Sequence, residues 1–303
     1  MIDFVTIIFD NQVEIELLKL QALSFNFCEL SIIGKIFIFY NDCGNNKIDF
    51  IKEYYPENMR SKVNIIYRDV HFLNNKIKQK YLKSNWRLHA FLKLWLANVI
   101  ENDIYCFFDA KNHFIKKVTL NNFFENEKYK IFFTQKNNVD EKCWGENYYE
   151  NGFKYFNIKI PDEISLKYVN IGTPFLYNKN KVIDMMKYIE NKEKKSFHDF
   201  YMSGELVHVE CSIYLSYLYF IGNTDFVYKP TMHFTIFREP YQKYVLDFIN
   251  DDDKYKNKRW VVFGLHRIAI DKMDESFKNT LFKIYSNIYD KKTCDMIKSL
   301  LYK

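Results

Sequence analysis

The chain has 303 residues with 48% hydrophobic and 19% aromatic content, which excludes a disordered chain and is enough to bury the core of one α/β domain or of two lobes sharing a cleft. Its net charge of +6 favours anionic partners only weakly, because the lysines are spread along the sequence and no concentrated basic patch stands out. With only 8 glycines, and none in the first turn Phe9-Asp10-Asn11-Gln12-Val13-Glu14, a dinucleotide fingerprint and a Walker A loop are both excluded.

The opening residues Met1 to Phe4 lack the basic and apolar regions of a signal peptide, and no run reaches the length of a membrane-spanning helix, so a soluble, cytoplasmic protein is expected. Residues 3–9 read as a buried strand and residues 13–26 as a helix. A second strand over 35–40 ends in Asn41-Asp42-Cys43-Gly44, a turn signal. A helix near 47–54 leads to a third strand over 63–67. The periodic helix 85–100 then delivers a fourth strand over 104–108. This alternation predicts a mainly parallel, Rossmann-like sheet flanked by helices, with right-handed crossovers. If strand one is central, with strands two and three on one side and four on the other, a ligand crevice opens between one and four.

After residue 120 the pattern loosens. Residues 130–134 predict a strand, 137–160 a hairpin or loop, and 169–177 a strand broken by a turn. Helices follow at about 179–191 and 208–220, extended chain at 227–237, a strand and loop at 260–267, and a helical tail from about 274. No linker separates the halves. Residues 1–120 read as the nucleotide-binding half and 121–303 as an acceptor lobe of one continuous domain. The six cysteines form no C-x-x-C pair and read as reduced core thiols.

Four segments carry chemistry. The apolar strand 104–108 empties into Asp109-Ala110-Lys111-Asn112, which places an acid, a base and an amide at the carboxyl edge of the sheet. Lys111 can supply a fixed positive charge to a leaving phosphate, or it can point away while Asp109 binds a metal with help from Asn112 and a distant ligand. On the helix before it, Arg87 lies near the positive end, a place suited to phosphate, and Lys93 lies further along on another side. Glu210 and Tyr214 share one face of an apolar helix. Glu210 is the candidate base for an acceptor hydroxyl, with a structural carboxylate as the alternative. His266, delivered by a late apolar strand after Gly264, suits a metal or a diphosphate.

With these segments in view, the chain resembles a family of proteins assigned a GT-A-type glycosyltransferase fold and often encoded in bacterial surface-polysaccharide (capsule) loci. The similarity is clearest from Trp86 to Ile115 and recurs in Thr173-Pro174-Phe175, in Glu210-Cys211-x-x-Tyr214 and around His266. It implies a nucleotide-sugar donor, a surface-polysaccharide or lipooligosaccharide acceptor, and Asp42 near the nucleobase. The donor contacts it suggests are Asp42, Arg87, Lys93, Asp109, Asn112 and Tyr214, with Glu210 and Lys111 catalytic. Mn²⁺ or Mg²⁺ on Asp109 and His266 is the cofactor expectation. Members of this family often carry a second Asp where Lys111 stands, which puts metal dependence in question. Nucleic acid is not an expected partner, and peripheral contact with the inner membrane surface is. Two rival functions are a D-x-K metal nuclease, with Asp42 or Asp103 as its second acid, and a catalytically silent sugar-binding protein.

Overall fold

The computed structural model describes residues 1–41, 47–68, 85–135, 147–165, 167–169, 173–203, 209–236 and 260–302. The first unit is β1 (Ile2–Ile8), α1 (Gln12–Ser24) and β2 (Ile33–Tyr40), followed by β3 (Val63–Tyr67), α2 (Asn85–Trp95) and β4 (Ile104–Phe107). Every residue of β1 is buried, as a strand covered on both faces requires. Asn11 starts α1 by accepting from the Val13 and Glu14 amides with its side-chain oxygen. The residues expected as a helix near 47–54 form a 3₁₀ segment, Asp49–Tyr54, and the helix expected to reach 100 tightens to 3₁₀ at Leu96–Asn98.

The main sheet has the order β3-β2-β1-β4-β9, where β9 is Phe175–Asn178. The first four strands are parallel and stand in the order that the sequence predicts, while β9 is antiparallel to β4. At the amino edge of this sheet the Asp3 carboxylate, wholly buried, accepts from the Lys35, Glu101 and Asn102 amides at 2.7, 3.0 and 2.8 Å.

Two further sheets are added by β5 (Asn112–Phe114), β6 (Phe124–Glu125), β7 (Lys128–Gln135), β8 (Lys167–Val169), β10 (Phe226–Pro230), β11 (His233–Ile236) and β12 (Val262–Leu265). One is β10-β7-β6, with β8 also on β7; the other is β11-β12-β5. The extended stretch expected at 227–237 is therefore two strands that belong to different sheets.

The longer helices that follow are α3 (Asn147–Tyr155), α4 (Lys179–Glu193), α5 (Phe197–Ser203), α6 (Glu210–Phe220), α7 (Glu275–Ser286) and α8 (Lys291–Leu301). Helix α3 replaces part of the hairpin or loop expected over 137–160. It buries Phe153 and lies so close to α6 that a Cβ at Gly152 would run into Ser216 and Ser212, so tertiary packing decides its state. The larger core runs from Ile2 to Val262 without a break at residue 120. A second core joins Leu17 and Leu20 of α1 to Leu265, Phe277, Leu281, Ile297 and Leu301. The described cysteines Cys28, Cys106, Cys211 and Cys294 are buried, and none of them is joined in a disulfide. Among the described residues no helix is long and apolar enough to cross a membrane.

Candidate active site

The carboxyl end of β4 lies beside the middle of the parallel strand β1, with Val5 opposite Phe107, and the Phe108 amide donates to the Val5 carbonyl at 2.8 Å. Beyond that bond the chain leaves the sheet and turns, the Asn112 amide donating to the Asp109 carbonyl at 2.8 Å. Gln21, buried on α1, holds the turn from behind. Its Nε2 lies 3.1, 2.6 and 3.2 Å from the carbonyls of Phe108, Asp109 and Asn112. On the other side the Asp109 amide donates to Thr173 Oγ1 at 3.2 Å, and Asn112 Nδ2 donates to the Thr173 carbonyl at 2.7 Å. These bonds from Gln21 and Thr173 fix the turn, while Asn112 Oδ1 is buried without a hydrogen bond.

The Asp109 carboxylate sits between Lys111 and His89. Its Oδ2 pairs with Lys111 Nζ, and its Oδ1 faces His89 Nε2 at 3.5 Å. Burial alone would raise its pKa; Lys111, then Lys93 and the His89 hydrogen bond, outweigh that and hold the carboxyl well below the usual range. His89 is stacked on Phe9 and meets the edge of Phe107, and burial, aided by Lys93, lowers its pKa. One helical turn further on, Lys93 lies 4.5 Å from the centroid of the Phe107 ring and pairs with Glu210 at 2.5 Å. Burial works against the charge on Lys93, but Glu210 and Asp109 prevail and raise its pKa.

The β12–β5 pairing, Gly264 opposite Asn112, brings the late strand to the same turn, and the Leu265 amide donates to the Lys111 carbonyl at 2.9 Å. Gly264 is required there, because a Cβ would collide with Thr235 Oγ1 and Asn112 Oδ1. His266 follows. It caps the helical turn Arg267–Ile270, its Nδ1 accepting from the Ile268 amide at 3.3 Å. Burial, then the charges of Lys111 and Arg267, push its pKa down to about 4. His233 on β11 is pushed to about 4 by burial and Lys111. Glu14, 3.6 Å from Arg267, has its pKa raised by burial against the pull of Arg267 and Lys111.

Asp109, Lys111 and His266 thus share one electrostatic neighbourhood, while other expected site residues are placed differently. Asp42 lies outside the described residues. Arg87 is in the first turn of α2, as expected, with its guanidinium over Trp86. Four others have close partners of their own. Lys93 and Glu210 are buried against each other. Asn112 is buried and engaged with Thr173. Tyr214 is buried too, its hydroxyl 3.1 Å from that of Tyr129 and accepting from the Asn178 amide at 2.9 Å. His89, Gln21 and His233 escaped the sequence reading, and Thr173 entered it only through the family resemblance. Only His89 had a legible signal, because it stands four residues before Lys93 on the same face of a helix.

Nor do the described residues make a site for a hard divalent cation. Such an ion favours several oxygen ligands, whereas Asp109 is committed to Lys111 and faces His89, and among the described residues no three metal-binding side chains converge.

The fold is GT-A-like. An active-site mutant of LgtC superposes with a TM-score of 0.51 at 10% identity, covering 96% of this chain and 98% of that one. The galactosyltransferase LgtC in complex with donor and acceptor sugar analogues gives 0.48 at 11% identity, covering 97% and 100%. Mouse xyloside xylosyltransferase 1 gives 0.45 at 8%, covering 87% and 98%. No curated protein sequence matches the chain. A family model does match, over residues 10–249, and the chain belongs to that family, the family of unknown function DUF6492.

Proposed function

We propose that the protein is a glycosyltransferase that moves a sugar from a nucleotide-sugar donor to a glycan acceptor. The acceptor is of the surface-polysaccharide or lipooligosaccharide class, and the reaction takes place on the cytoplasmic side of the membrane. What carries the reading is the charged turn from Asp109 to Asn112, fixed at the carboxyl end of β4 beside β1 in a sheet that shares the LgtC fold. Ligands of open α/β sheets bind at this kind of edge. In the reaction the acceptor hydroxyl attacks the anomeric carbon, and the departing phosphate oxygen keeps the bonding electron pair. Gln21 and Thr173 hold the turn rigid, as charge stabilisation by preorganised groups requires. Residues 121–303 supply the acceptor side.

The nuclease reading loses one of its acids. Asp103 precedes β4 and Asp109 follows it, so the two stand at opposite ends of one strand.

Thermal unfolding with UDP-, GDP-, CMP- and ADP-sugars tests the proposal. One nucleotide class should raise Tm, since ligand at a hundredfold excess over Kd contributes about 2.7 kcal/mol. A folded protein whose Tm none of these donors moves would exclude it.

A further inference from the structure

We infer that Lys111 is the built-in cation of this site: held in place by Asp109 and His89, it offsets the charge of the departing phosphate, so that the nucleotide binds without a divalent metal. The inference rests on the glycosyl-transfer reading and says how its leaving group is handled.

Asp109 is the first reason. A carboxylate that ligates a metal must turn oxygen lone pairs toward it, and here one oxygen is paired with Lys111 while the other faces His89. A divalent ion drawn to Asp109 would also sit against the Lys111 ammonium, and Lys93 adds a second positive charge felt at the same carboxylate. The second reason is His266. Its Nδ1 is taken up in capping the turn that follows β12, and the neighbouring charges of Lys111 and Arg267 already act on its ring.

The third reason is rigidity. Lys111 belongs to a turn whose carbonyls are gripped by Gln21 on one side and by the Leu265 amide on the other. Its ammonium is steered by a carboxylate that is itself steered by His89, which Phe9 and Phe107 clamp. An ammonium has three protons, which a carboxylate and a phosphate oxygen can share. As the anomeric C–O bond breaks, the electron pair stays on the phosphate oxygen and Lys111 keeps its proton. The acceptor oxygen forms the new bond to carbon, and its proton leaves to solvent. In this scheme Asp109 and His89 are positioning residues.

Calorimetry with UDP, GDP, CDP and ADP, each in excess EDTA and again with Mn²⁺, tests the inference. The expectation is that one nucleotide binds with the same affinity in both buffers. In EDTA, Lys111→Met should bind it about ten- to a hundredfold more weakly, the scale of one charge-assisted hydrogen bond, while Lys111→Arg keeps most of the affinity. Lys111→Gln replaces the Met variant if that one fails to fold. Binding that requires Mn²⁺ overturns the inference and leaves glycosyl transfer standing. So does binding in EDTA that both neutral variants leave unchanged. If no nucleotide binds in either buffer, the inference falls together with the functional reading beneath it.

Discussion

Removing one member of the Lys93–Glu210 pair leaves the other ion enclosed, with side-chain exposures of only 9% and 6%. Lys93→Met or Glu210→Gln should each cost about 3–5 kcal/mol in urea unfolding, while the double variant Lys93→Met/Glu210→Leu costs far less, because an apolar pair suits that space. Additive costs would show that the two side chains do not depend on each other. His113 carries a pH dependence. Its Nε2 is 3.0 Å from the Tyr285 hydroxyl, and burial pushes its pKa down to about 3. The unfolded chain takes up this proton near pH 6.5 and the folded chain only near 3, so the contribution of His113 is complete above 6.5 and is lost as the pH falls toward 3. Urea midpoints measured at pH 7, 5.5 and 4.5 should therefore fall, and fall less steeply in His113→Phe. At this scale the sequence showed which residue types gather at Asp109 and Lys111, because a charged cluster after an apolar strand is visible as such. It did not show that Lys93 and Glu210 would find each other across 117 positions, since neither has a local partner that reveals it.

The first four strands were legible because each is a mainly apolar run in a parallel sheet, and their order followed from the strand–helix alternation. The strands after residue 120 were harder to read. Apart from β7 none exceeds five residues, and β12 pairs with the parallel β11 and the distant β5, so no hairpin sets its register. Gly264 is the point where that register is most exposed to test. Gly264→Ala must displace Thr235 or Asn112, and should cost about 1–3 kcal/mol in stability. Because Asn112 also anchors Thr173, the same variant should weaken nucleotide binding measured by calorimetry. Unchanged affinity in a folded Gly264→Ala protein would separate the β12 pairing from the site.

At the scale of the whole molecule, α1 is buried from two directions. Leu18 and Ala22 enter the larger core, while Leu17 and Leu20 enter the smaller one together with the C-terminal helices. Ile297→Ala should therefore destabilise the protein by about 2–4 kcal/mol although it lies far along the chain from the sheet, and thermal unfolding would measure this. Leu265 sits in that smaller core next to His266, so the tail helices and the candidate site share one support.

The β5–β12 pairing also fixes an order of events in biosynthesis. His113 pairs with Phe263, which the ribosome adds 150 residues later. At ~5–20 residues per second this is an interval of ~8–30 s. Until then the β5 edge of the nascent chain has no β12 to pair with, and Leu17 and Leu20 lack the C-terminal half of their core. The Asp109 turn can be assembled in its final form only near the end of translation, so a chain that stops short of residue 265 carries the charged cluster without the strand that closes it.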